Sequence, residues 1–87
     1  MKIKDGFVVR ELAGEYVVVA LGEASKIFNG IIKLNDSGLS IWNLLNEGCE
    51  REEAIDAMMK EYDVSREVIE ADFDRFVNVL KGANILE

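Results

Sequence analysis

Apolar and polar residues alternate along the first third of the chain and recur at helical spacing along the rest. FVVREL (Phe7–Leu12) and EYVVVAL (Glu15–Leu21) are rich in β-branched residues and flank Ala13-Gly14, which predicts a tight β-hairpin. The second of these strands is apolar on both faces, with Tyr16, Val18 and Ala20 on one and Val17, Val19 and Leu21 on the other. Such a strand is central in its sheet or covered on both sides. If helices cover only one side, the other (Tyr16 and Val18, or Val17 and Val19) is a contact for a second copy or for an enzyme. After a polar loop, GEASK (Gly22–Lys26), the pattern predicts a third strand over Ile27–Leu34. Phe28, Gly30, Ile32 and Leu34 fall on one face, and Asn29, Ile31 and Lys33 on the other. A three-stranded meander follows, with the third strand at an edge.

From residue 35 onward the period changes. Asn35 or Asp36 caps a first helix whose stripe is Leu39, Ile41, Trp42, Leu44 and Leu45, with Gly48 just past its end and Trp42 as a core anchor. A second helix runs over Arg51–Glu61, with Ala54, Ile55, Met58 and Met59 apolar. Tyr62-Asp63-Val64 connects it to a third, capped by Ser65, spanning Arg66–Lys81 and closed by Gly82. Ile85-Leu86 tuck back afterwards. The order βββααα with short connections predicts one α+β domain over residues 1–87, resembling a winged helix-turn-helix.

On the third helix, Ile69, Phe73, Phe76 and Leu80 lie within roughly 40° of one another and form the expected core line. One flank carries Arg66, Glu70 and Asp74, then Val77, and is expected to be solvated. The other carries Val68, Asp72, Arg75 and Val79, two valines enclosing an Asp-Arg pair. That flank suits either a semi-buried boundary or one wall of a groove whose other wall is strand three, with Ile31 and Lys33 beside unpaired backbone groups. The strand edge carries little to blunt it, and an extended peptide can add there as a further strand. Five backbone hydrogen bonds at about 0.5–1.5 kcal/mol each roughly cancel the ordering of five or six residues at about 1–2 kcal/mol each. Affinity would then rest on two or three apolar peptide side chains, at about 1.5–3 kcal/mol apiece.

Composition removes most other functions. The chain has no histidine and a single cysteine, so it lacks the commonest general base, any disulfide, and the ligands for a zinc site or an iron–sulfur cluster. Cys49 sits between Glu47 and Glu50, which raise the pKa of its thiol and make it unreactive. No phosphate-binding glycine loop and no catalytic constellation is present, so neither enzymatic activity nor a cofactor is expected. The net charge of −7, from 17 acidic and 10 basic residues, opposes binding to nucleic acid or anionic membranes. No apolar run reaches the roughly 18–20 residues of a membrane span, and the start lacks a signal-peptide core, so a cytoplasmic protein is expected.

The ordered set Gly30, Leu34-Asn35, Ile41-Trp42, Leu44-Leu45, Glu47-Gly48, Glu53, Tyr62-Asp63-Val64, Asp72, Phe76 and Leu80 resembles the PqqD-like family over nearly the whole chain. This family comprises the peptide chaperones of pyrroloquinoline quinone biosynthesis and the related recognition elements for ribosomally made, post-translationally modified peptides. The resemblance implies a winged helix-turn-helix-like fold of three strands and three helices. It implies binding of a precursor's leader segment along strand three and against helix three, and presentation to a radical-SAM protein, a cyclase or a peptidase. The matching positions are Gly30, Ile31, Ile32, Lys33 and Leu34 on the strand, with Val68, Asp72 and Arg75, and also Ala71 and Val79, on the helix. The enzyme is expected on a separate polypeptide. Two rivals stand beside this reading. A DNA-binding winged helix would need a basic stripe, whereas Arg66–Lys81 carries three cations against four acids. A dimeric interaction module would use the second apolar face of strand two.

Overall fold

A computed structural model describes residues Met1–Glu87. Three antiparallel strands, β1 (Phe7–Leu12), β2 (Glu15–Ala20) and β3 (Ile32–Leu34), form a sheet in the order β1-β2-β3. Three helices follow: α1 (Asp36–Glu47), α2 (Arg51–Glu61) and α3 (Arg66–Gly82).

The hairpin forms as its sequence predicts. Ala13 (φ 52°) and Gly14 (φ 82°) both take positive φ, the mirror-image turn whose twist matches that of its strands. Pairing runs from Leu12↔Glu15 back to Phe7↔Ala20. Leu21 falls just outside the strand but still donates its N–H to the Gly6 carbonyl at 2.8 Å.

The third strand is shorter than the alternation suggests. Gly22–Lys26 forms a turn of 3-10 helix rather than an open loop, and the Ile27 and Phe28 amides both donate to the Ala24 carbonyl. This turn buries Ala24 and directs Phe28 onto the core without extended pairing. The Phe28 ring lies over Gly30, where an added Cβ would meet Cζ at 2.7 Å. Extended pairing starts only at Ile32, in the register Val18↔Ile32, Val17↔Lys33 and Tyr16↔Leu34.

A core cluster of 16 buried residues joins one face of the sheet to the helices, from Phe7, Val18 and Leu34 to Trp42, Leu45, Ile55 and Phe73. Trp42 is the anchor its spacing suggests. Ile85 is buried, and a bridge between Ile3 and Leu86 brings the two chain ends together. Asn35 caps α1, accepting from the Gly38 N–H at 2.8 Å, and the Ser65 hydroxyl accepts from the Val68 N–H at 3.3 Å. Gly48 closes α1 at φ 87°. Gly82 is still helical, and the left-handed residue after α3 is Asn84 at φ 60°. Burial raises the pKa of the Cys49 thiol first, with smaller contributions from Glu53, Glu50 and Glu47.

On α3 the buried residues are Ile69, Phe73, Val77 and Leu80, while Phe76 is only half-buried. Substituting Val77 for Phe76 turns the core line by roughly 25° toward the Arg66, Glu70 and Asp74 flank. That flank meets α2 instead of standing in solvent. Arg51 donates to both Asp74 oxygens at 2.9 Å and to Glu70 at 3.3 Å. Arg66 binds Asp56 at 3.0 Å and Glu70 at 3.1 Å, and also Glu52, which Arg51 binds at 3.1 Å. The network closes the seam between α2 and α3 and leaves the opposite side of α3 facing β3.

Candidate functional site

Between the corner of β3 and the exposed flank of α3 lies an open cleft of about 600 Å³. Its apolar lining comes from Leu34 and Tyr16 of the sheet, Ile41 of α1, and Phe76 and Val79 of α3. Charged groups border it in pairs. Lys33 lies 3.4 Å from Glu15, and Arg75 donates to Asp72 at 3.1 Å. Both arginines of α3 are thus held by carboxylates of the protein, and the helix presents no basic stripe to nucleic acid.

The tight strand-to-helix corner sets the shape of the cleft. Asn35 ends β3 and caps α1 in the same residue. An ideal Cβ on Gly38, one turn later, would lie 3.1 Å from Asn35 Oδ1, 3.6 Å from Leu34 Cδ2 and 3.7 Å from Phe76 Cε1. A glycine there lets α1 approach both β3 and α3 closely. The Tyr62 hydroxyl holds the corner from behind, donating to the Asp36 carbonyl at 3.2 Å and lying 2.9 Å from Ser40 Oγ.

Backbone geometry adds a second element. In a two-residue hairpin the closing pair, Leu12↔Glu15, exchanges hydrogen bonds, so Arg10↔Val17 and Val8↔Val19 do as well. On β2 the N–H and C=O groups of Tyr16 and Val18 therefore point toward β3, where they pair with Leu34 and Ile32. The backbone of Lys33, and of Ile31 just ahead of the strand, faces outward from the free edge. That gives at most four backbone hydrogen bonds, where the longer expected strand suggested five. The other free edge, β1, is partly covered by its own side chain, because Arg10 donates to the outward Val9 carbonyl at 3.3 Å.

Of the site residues expected from the sequence, the cleft gathers Lys33, Leu34, Asp72, Arg75 and Val79. Gly30, Ile31, Ile32, Val68 and Ala71 lie outside its lining. Ile31 and Ile32 continue the strand away from the cleft, and Val68, 48% exposed, is near the start of α3. The lining also includes Tyr16, the Asn35–Gly38 turn, Ile41 and Phe76, which alternation and helical spacing do not single out as site residues. A glycine in the first turn of an otherwise regular helix was the available sign of a close approach at this point.

The comparisons agree with this architecture. A family model described as Coenzyme PQQ synthesis protein D (PqqD) matches residues 15–86. Among solved structures, "TbiB1 in Complex with the TbiA(beta) Leader Peptide" is 34% identical, covers 100% of this chain and 95% of its own, and superimposes with a TM-score of 0.77. No curated protein matches the chain. The family match begins at the first residue of β2 and runs through β3, the capped corner and all three helices, and on that extent the chain belongs to the PqqD family.

Proposed function

We propose that this protein binds the leader segment of a ribosomally synthesised precursor peptide and presents it to a separate modifying enzyme such as a radical-SAM protein, a cyclase or a peptidase. The leader adds as a fourth strand on the free edge of β3 and lies against α3, in the cytoplasm, where precursors are made. The observation that carries this reading is an apolar cleft directly beside an unpaired strand edge. Further support comes from the likeness to TbiB1, which was solved in complex with a leader peptide. The chain acts as a binding module and supplies no chemistry of its own.

The edge geometry defines what the leader must look like. Cross-strand neighbours share a face, so leader residues opposite Ile32 and Leu34 point into the groove and the one between them points out beside Lys33. Four backbone bonds at about 0.5–1.5 kcal/mol each do not offset the ordering of five residues at about 1–2 kcal/mol each. Groove-facing apolar side chains, worth about 1.5–3 kcal/mol each, therefore decide affinity.

The test compares two valines of similar exposure on the same flank, Val79 at 47% in the cleft and Val68 at 48% outside it. Anisotropy measurements with a labelled synthetic leader should show at least a tenfold loss of affinity for Val79→Lys with an unchanged melting temperature. Val68→Lys should lose less. Equal binding by wild type and Val79→Lys would remove the cleft from the reading.

A further inference from the structure

The sheet has two faces, and the helices occupy one. Phe7, Val18 and Leu34 belong to the core cluster, so by strand alternation Val8, Arg10, Leu12, Val17, Val19 and Lys33 point the other way. This outer face is apolar along its centre. Leu12 is 51% exposed, and Ile31, at its margin, is 60% exposed. Val17 is only 3% exposed although it is absent from the core cluster. Its register places it between Arg10 and Lys33 on the neighbouring strands. The strands' outward charges are Arg10 and Lys33 against Glu15, a net of +1 on a molecule whose total is −7.

We infer that this outer sheet face is a docking surface for a folded protein partner with an apolar centre and an acidic rim, the enzyme that receives the peptide. Two features argue against a second copy. The same excess of positive charge would face itself, on molecules that already repel one another. Strands of six, six and three residues, about 4.8 Å apart and rising about 3.3 Å per residue, span roughly 240 Å². Two such faces bury roughly 480 Å², well short of the roughly 1,200 Å² at which stable interfaces begin, whereas an enzyme also gains contact with the bound leader. An area of that size suits a brief hand-over.

The surface is also continuous with the peptide edge, a point that rests on the proposed function. A leader strand on β3 would place its outward side chains next to Lys33 and Ile31, widening the same face. The partner then meets a composite surface of protein and leader, and binds the loaded protein more tightly than the empty one.

Leu12→Asp and Arg10→Glu test this, since both side chains are exposed and neither lines the cleft. The probe is the purified modifying enzyme encoded beside the precursor gene, measured by biolayer interferometry with and without synthetic leader. The enzyme should bind the loaded wild type at least tenfold more tightly than the empty form. Leu12→Asp should lower that affinity at least tenfold, and Arg10→Glu several-fold, with leader affinity and melting temperature unchanged. Enzyme binding unaffected by either substitution, or absent with wild type, overturns the inference. So does a wild-type dimer in sedimentation that Leu12→Asp dissociates. If no leader binds, the proposed function fails separately; enzyme binding to the empty protein that Leu12→Asp abolishes still supports the face.

Discussion

Trp42 and Val79 illustrate the division between side chains that make the fold and those left exposed on its surface. Trp42 is buried within the core cluster, and replacing it with alanine is expected to cost about 3–5 kcal/mol. Urea denaturation should show this, while leader affinity stays near wild type wherever the variant remains folded. Most residues that carry the family resemblance are of the Trp42 kind. Asn35 caps α1 and Gly48 closes it, Gly30 makes room for the Phe28 ring, and Tyr62 ties the corner. Glu53 accepts from the Glu50 N–H at 3.0 Å at the start of α2. These roles are local, fixed by neighbours in sequence or by one strong preference, and so they are legible from the sequence. Phe76 is different. Its position on the helical wheel lies between core line and groove flank, and only the packing of α2 against the far side of α3 turns it toward the cleft.

At the level of elements, alternation located β1 and β2 correctly but overextended β3. Phe28, Gly30, Ile32 and Leu34 do alternate, yet Phe28 reaches the core through a 3-10 turn, and a period of two over eight residues cannot separate these routes. The hairpin offers a test of local geometry. Ala13 holds φ 52°, a conformation costly for alanine and tolerated by asparagine. Ala13→Asn should stabilise the protein by up to about 1 kcal/mol, read as a higher denaturation midpoint with an unchanged slope. The α2–α3 seam was not legible, because Arg51 and Asp74 are 23 residues apart and nothing in either helix alone pairs them. The hydrogen bond from Arg51 holds the Asp74 carboxyl below its ordinary value of 3.8. A carboxyl with a lowered folded pKa contributes stability that is fully present above that ordinary value and is lost as pH falls through the lower folded one. Thermal melts should therefore show Arg51→Ala to be less stable than wild type at pH 7, with the gap narrowing below about pH 4 and in high salt. A gap independent of both would assign the effect to packing alone.

The whole molecule presents three distinct surfaces. Helices close one face of the sheet, an ion network seals the α2 side of α3, and the remaining side of α3 meets the free edge of β3 in a cleft. The measurement that tests peptide recognition most directly is an amide NMR titration of the labelled protein with a synthetic leader from its gene neighbourhood. Saturable shifts are predicted along Ile31–Leu34 and Asp72–Val79, with the amides of α2 silent and those of Ile31 and Lys33 newly protected from exchange. Shifts confined to the β1 edge, or no shifts at saturating peptide, would contradict strand addition at β3.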